Sequence, residues 1–339
     1  MATRPPADDR PDWRIFQGHG MPHDGINRLP DPPRWRKFTG KTVDALHLTE
    51  EDTFMERMLA RGEAFQANED VVELVNAALY LRRPLLVSGR PGSGKSTLAY
   101  AVAHELKLGP VSRWSITTRT TLADGLYHYD ALGRLQDTSY WKDTYKEDQP
   151  PPDIGQYIRL GPLGAALLPT KRPRVLLIDE IDKSDIDLPN DLLHIFEEGE
   201  FDIPELVRLA QHKPSVEVYY GKNSQDKVAI EDGRVRCAAF PFIVLTSNEE
   251  REFPPAFLRR CLRLDMKLPT PKELVAIVEA HLGKDAVPSE QLINAFLQER
   301  EKGALATDQL LNAIYLSTRG IDVREKKILF QAVLRHLTS

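Results

Sequence analysis

The stretch Gly89-Arg90-Pro91-Gly92-Ser93-Gly94-Lys95-Ser96 constrains this chain more than any other. It fits G-x-x-x-x-G-K-[ST], and from average residue usage the four specified positions recur by chance in roughly one chain in 100 of this length. Its context lowers that further. Upstream, Leu85-Leu86-Val87 is a short apolar run bounded by Pro84 and Gly89, which reads as a buried strand. Downstream, Ser96 to Leu108 carries Leu98, Ala101, Val102 and Leu106 on one side of a helix. A glycine turn there gathers backbone N–H donors and the positive end of a helix dipole around one point, which suits a phosphate. Lys95 would neutralise β- and γ-phosphates, and the Ser96 hydroxyl would complete a Mg²⁺ shell. The expected nucleotide-binding set is Gly89, Arg90, Pro91, Gly92, Ser93, Gly94, Lys95, Ser96 and Thr97.

A second apolar run, Val175-Leu176-Leu177-Ile178, ends in Asp179-Glu180. Charges at the end of a buried strand need a counter-charge, and a Mg²⁺–nucleotide complex supplies one. Ligands of open α/β sheets bind at the carboxyl ends of the strands, where the glycine loop and this pair both fall. Successive side chains point to opposite sides, so the two carboxylates can differ in role. Asp179 is expected to hold Mg²⁺ through water and Glu180 to polarise the attacking water. The bland reading is a solvated strand end paired with Lys183; Asp182 is read as structural or as supporting the pair from behind it.

Other segments set the architecture. Val71, Val72, Leu74, Val75, Ala78, Leu79 and Leu81 form a helical stripe ended by Arg82-Arg83-Pro84. Strands are expected at 114–118, 174–178 and 241–246, with a helix over 189–198. Strands alternating with helices imply an α/β fold, a parallel sheet covered by helices on both faces. After Leu268 the strands stop. Thr270-Pro271-Lys272-Glu273 is a capping box with proline at the first helical position, and further helical patterns run over 289–302, 308–318 and 322–337. The expected domains are an arm (1–45), an α/β nucleotide-binding domain (46–268) and a small all-helical lid (269–339). In the arm, seven prolines prevent a long helix, so it is either a disordered tail or an extended segment that docks. Trp13, Phe16, Trp35 and Phe38 favour docking.

Composition narrows the class. A net charge of -5 does not favour a dedicated nucleic-acid binder, and no apolar run approaches a membrane span. The start lacks the apolar core of a signal peptide, and two cysteines, Cys237 and Cys261, make neither a disulfide framework nor a zinc spacing. A cytoplasmic, globular protein is expected.

With these motifs placed, residues 60–339 resemble the AAA+ ATPases, within them the MoxR-like group. Residues 89–97 look like Walker A and 175–183 like Walker B; 188–201 resembles the helix and turn that follow it in MoxR-like proteins. Leu245-Thr246-Ser247-Asn248 is similar to sensor 1, with Asn248 helping to orient water, and 254–261 to the arginine-finger segment. The resemblance implies a P-loop NTPase fold, ATP as ligand with Mg²⁺, Arg260 as the finger with Arg259 second, and a homo-oligomeric ring, usually of six. It also implies a protein partner, often one with a von Willebrand A domain. Independently of the family, a desolvated guanidinium on the γ-phosphate is worth roughly 10³–10⁵ in rate, whereas the bland reading of both arginines is surface ion pairing. The sequence departs from the family at the lid, where Asp308 falls in the place of the sensor 2 arginine. Arg319 or Arg324 would have to substitute, or lid closure is weakly coupled to nucleotide.

Two insertions are expected, near 122–157 and 201–236. The first is rich in tyrosine; Tyr127 and Tyr129 would grip a polypeptide in a central channel or simply pack. The second alternates as a projecting β-hairpin, with Val216, Val218 and Tyr220 facing Val228, Ile230 and Val235. Three readings follow: a remodelling ATPase, a low-turnover nucleotide-gated assembly switch within a bacterial conflict or defence system, and a nucleic-acid motor. The last has no motif to support it.

Overall fold

The longest apolar runs of the sequence become the inner strands of a sheet. The computed structural model describes residues 12–42, 65, 67–145, 150–221, 226–282 and 307–319, with isolated positions at 293–300 and 321–333. The elements are α1 (Glu69–Leu81), β1 (Leu85–Ser88), α2 (Lys95–Glu105), β2 (Val111–Ser115), α3 (Leu122–Leu126), β3 (Tyr127–Tyr129), α4 (Ala131–Tyr145), β4 (Ile158–Leu160), α5 (Pro162–Ala166) and β5 (Val175–Asp179). They continue with α6 (Leu188–Glu198), β6 (Glu200–Asp202), α7 (Pro204–Val207), β7 (Ser215–Tyr219), β8 (Lys227–Glu231), β9 (Arg234–Arg236), β10 (Phe242–Ser247), α8 (Pro255–Leu258), β11 (Leu262–Asp265), α9 (Pro271–Leu282) and α10 (Thr307–Thr318).

Five strands form one parallel sheet in the order β11-β1-β10-β5-β2. Because side chains alternate along a strand, consecutive residues enter two cores on opposite faces. Leu85, Val87, Val175, Leu177, Phe242 and Val244 pack with α1 and α2. Leu86, Leu176, Ile178, Ile243 and Leu245 pack with α6 and the inserted segments. The expected strand over 114–118 is displaced: β2 runs three residues earlier. Its end is set by Thr120, whose hydroxyl accepts from Thr117 N at 2.9 Å and turns the chain despite the β-branched composition.

The insertions are part of the body. β3, β4, β7 and β8 form a second sheet, with the hairpin pairing Val216 to Ile230 and Val218 to Val228. The hairpin does not project: those four side chains are buried in the same core as β5. Val235 is not in the hairpin but in β9, opposite Phe201 of β6. Tyr127 and Tyr129 are packing aromatics rather than free ones. Tyr127 donates its hydroxyl to Glu205 at 2.9 Å, and the Tyr129 hydroxyl accepts from Arg134 at 3.0 Å.

Residues 12–42 are a docked arm, and of the four aromatics expected to carry it Phe16 is buried and Phe38 stacks on Phe240. Trp35 is 78% exposed, while Ile15, Phe16 and Ile26 are buried against α1 and α2. Two buried polar side chains hold the arm's backbone. Asn76 Oδ1 accepts from Ile15 N and Phe16 N at 2.6 and 2.9 Å, and its Nδ2 donates to Phe16 O and Val72 O at 2.7 Å each. Glu105 accepts from the N–H groups of Gln17, Gly18 and Gly20. The arm then crosses the N-terminal rim of the sheet. There Arg36 donates to Phe196 O and Glu197 O at the end of α6, at 2.7 and 3.1 Å, and to Arg82 O after α1. Its guanidinium lies over Phe38 and Phe240, which stack at 5.1 Å. A cation at two helix C-termini is favoured by their dipoles.

Beyond β11 the described elements are helical, starting with the expected capping box: Thr270 N donates to Glu273 Oε2 and Glu273 N to Thr270 Oγ1. Leu274, Val278, Phe296, Leu310, Ala313 and Ile314 form a separate small core. The helices expected over 289–302 and 322–337 lie largely outside the described residues.

Cys237 and Cys261 are buried in the larger core. Burial pushes both thiols up from 9.0 to about 12. Neither is expected to react with iodoacetamide at about pH 8 until the chain is unfolded in urea, as mass spectrometry would read. The sign also fixes an alkaline limit. A raised native pKa means that this contribution to stability is complete below about 9 and is lost as pH rises toward about 12.

Candidate functional site

The glycine loop sits between β1 and α2 in a backbone shape that other residues would not adopt. Gly89 has φ +143°, and a Cβ there would lie 2.4 Å from Met266 O; Gly94, before α2, has φ +90°. Lys95 begins α2 and turns back under the loop, donating to Gly89 O and Arg90 O at 2.6 and 3.0 Å. Burial lowers its pKa, against the opposing pull of Asp182, Asp179, Glu180 and Glu249. Those four carboxylates show that the loop and the end of β5 share one electrostatic field.

Ser96 and Asp179, 83 positions apart, meet directly: Ser96 Oγ donates to Asp179 Oδ1 at 2.7 Å. Thr246 Oγ1, on β10, donates to the same oxygen at 2.8 Å, and Arg113 Nη2, on β2, to Oδ2 at 2.7 Å. Burial pushes the Asp179 carboxyl up, but these three hydrogen bonds and the Arg113 charge outweigh it and hold it below its ordinary value. Thr246 and Arg113 were not identified in the sequence. A threonine ending an otherwise apolar strand was a signal for the first; the second needs the β2–β5 register, in which Arg113 faces Leu177.

Glu180 follows in the left-handed region, φ +61°, with its N–H donated to Thr246 Oγ1 at 2.9 Å. Such a conformation costs a non-glycine residue on the order of 1–3 kcal/mol and clusters at functional sites. Its carboxylate pairs with Lys183 at 2.8 Å, with 44% of the side chain exposed. Asp182 is buried, and its Oδ2 accepts from Asn248 N and Glu250 N at 2.7 and 3.2 Å. Its structural role is therefore to hold the turn after β10 beside β5, with Asn248 half-buried at the end of that strand.

A cavity of about 600 Å³ opens beside the loop, lined by Asn68, Val71, Gly92, Thr97, Met266 and Thr307 among others. Its volume suits a nucleoside. The start of α10 closes over it, and Thr307 Oγ1 donates to Gly92 O at 2.7 Å. Arg319 does not replace a lid arginine here: it is exposed at the far end of α10, over Tyr315, about 18 Å along the helix from Thr307. Arg324 and the Asp308 side chain lie outside the described residues.

Arg259 and Arg260 are at the opposite rim. They precede β11, whose first N–H bonds Pro84 O, the residue before β1, at 2.9 Å. Arg259 is exposed; Arg260 Nε pairs with Glu197 of α6 at 2.5 Å. Both arginines therefore stand at the end of the sheet remote from their own glycine loop.

The Ser96 hydroxyl and the Asp179 carboxylate offer hard oxygens in contact, which fits Mg²⁺. Among the described residues no group of three or more His, Cys, Asp or Glu side chains is placed to hold a metal. No described helix is long and apolar enough to cross a membrane.

A family model, AAA domain (dynein-related subfamily), matches residues 84–261. Among solved structures, domain III of the Thermotoga maritima replication initiation protein DnaA is similar at 17% identity, covering 81% of this chain and 97% of that one, with a TM-score of 0.40. No curated protein matches.

Proposed function

Because the chain belongs to the AAA domain family, dynein-related subfamily, and is an ATPase, we propose that it is a MoxR-like member whose subunits form a ring, hydrolyse Mg-ATP and remodel or activate a partner protein. The observation that carries the hydrolytic part is the convergence of Lys95, Ser96, Asp179 and Glu180 at one end of the sheet. The backbone N–H groups of the non-proline residues in the loop 89–94 and Lys95 bind the phosphates, with Thr97 beside them. Ser96, and Asp179 through water, would hold the metal. Mg²⁺ supplies charge neutralisation at the β- and γ-phosphate oxygens. Glu180 polarises the attacking water and Asn248 orients it. Arg260 of a neighbouring subunit, with Arg259 second, reaches the γ-phosphate.

The ring is supported by the remoteness of both arginines from their own loop, so that a finger from this segment acts in trans. A ring of six, a protein client or a partner with a von Willebrand A domain, and a cytoplasmic setting complete the proposal. Mixing tests it. Glu180→Gln and Arg260→Ala are each expected to hydrolyse ATP poorly, and an equimolar mixture to regain activity, since about a quarter of random interfaces pair an intact site with an intact finger. A mixture no better than its components would overturn the trans assignment.

One observation favours the assembly-switch reading: the described start of α10 meets the loop through a neutral hydroxyl, Thr307, rather than a cation. A wild-type chain that assembles on ATP but releases no more than one phosphate per subunit would select it.

A further inference from the structure

Arg113 has no role in the scheme above, yet it holds the carboxylate that scheme depends on. It projects from the edge strand of the sheet, its side chain 45% exposed, and its Nη2 lies 2.7 Å from Asp179 Oδ2. The other oxygen of Asp179 is engaged by Ser96 and Thr246, so each half of the carboxylate is committed separately. Around Lys95 gather Asp179, Asp182, Glu180 and Glu249. Lys183 is taken by Glu180, and Lys95 by the loop carbonyls. A triphosphate entering this field meets carboxylates at close range, and like charges repel most where water is sparse.

We propose that Arg113 is a built-in counter-cation of the nucleotide site: a positioning residue that neutralises Asp179 and lets the triphosphate bind without a divalent ion. This deepens the proposed function, since it rests on Asp179 lying beside the phosphates. The guanidinium is part of the chain, so its contribution is permanent, whereas that of Mg²⁺ rises and falls with concentration. Chain and metal therefore share one task, and removing the arginine transfers all of it to the ion.

The test is nucleotide affinity, not turnover, measured by calorimetry with ATP in EDTA and in saturating Mg²⁺. Arg113→Gln is expected to weaken binding about tenfold in EDTA but no more than about threefold in Mg²⁺, with Arg113→Lys recovering much of the loss. A merely structural ion pair would weaken both conditions equally; that parallel loss, or no change in either, overturns the inference. Thermal denaturation of the variants shows whether they fold, and the equally uncharged Arg113→Met carries the test if Arg113→Gln does not. Wild type that binds only with Mg²⁺ also overturns the inference but leaves the proposed function standing. Wild type that binds in neither condition overturns the site itself.

Discussion

Glu180→Gln is expected to lower steady-state ATP hydrolysis by about 100-fold or more while leaving nucleotide affinity close to wild type, because removing a group that moves a proton typically costs 10²–10⁴ in rate. The two effects separate because Asp179, not Glu180, is the carboxylate bonded to Ser96. The amide keeps the shape of the side chain and loses only its charge. It also loses the pairing with Lys183, but that pair is roughly half exposed on both sides and contributes little to stability. Phosphate release and ATP binding measured on one preparation decide the matter. Unchanged turnover would remove Glu180 from its assigned role, and loss of binding would show that it supports the phosphates instead.

Asn76→Leu is expected to destabilise the fold by several kcal/mol. The asparagine is fully buried and uses both its carbonyl and its amide on main-chain groups of the arm and of its own helix. Leucine fills a similar volume but strands two N–H groups and one carbonyl of the arm, each costing about 1–3 kcal/mol when left buried and unpaired. The arm can escape part of that by undocking, which exposes Ile15 and Phe16 instead. Calorimetry should show a midpoint lower by roughly 10 °C, and limited proteolysis should cut within 12–42 before the rest of the chain. A midpoint within about 2 °C of wild type would show that apolar contacts alone hold the arm.

The inner strands β1, β5 and β10 were legible because they are buried on both faces and so read as continuous apolar runs, whereas the edge strands alternate in burial: β2 was expected three residues late and β11 was not expected. The loop and the Asp179-Glu180 pair were legible for a related reason: their chemistry is local in sequence. What was illegible depends on register or on distant partners. Arg113 and Thr246 become part of the site only through their placement on strands flanking β5. The hairpin pairing was readable from alternation, but its burial was not, since the face that covers it comes from segments far along the chain. The arm shows the same limit. Tryptophans advertise docking in a composition, whereas the groups that do the holding are Asn76, Glu105 and Arg36, polar residues whose partners are backbone atoms.

The base of the sheet also dictates an order of assembly. Arg36 closes on a carbonyl 160 positions later, and Gly40 N bonds the carbonyl of Cys237. During synthesis residues 15–26 can settle once α1 and α2 have formed, but residues 36–40 have nowhere to settle until the chain through Phe240 has followed. Contacts this far apart in sequence form late. Residues 36–40 are thus the closing clasp of the molecule, and a chain shortened past them from its amino end would be left with Phe240 uncovered at the moment folding should finish.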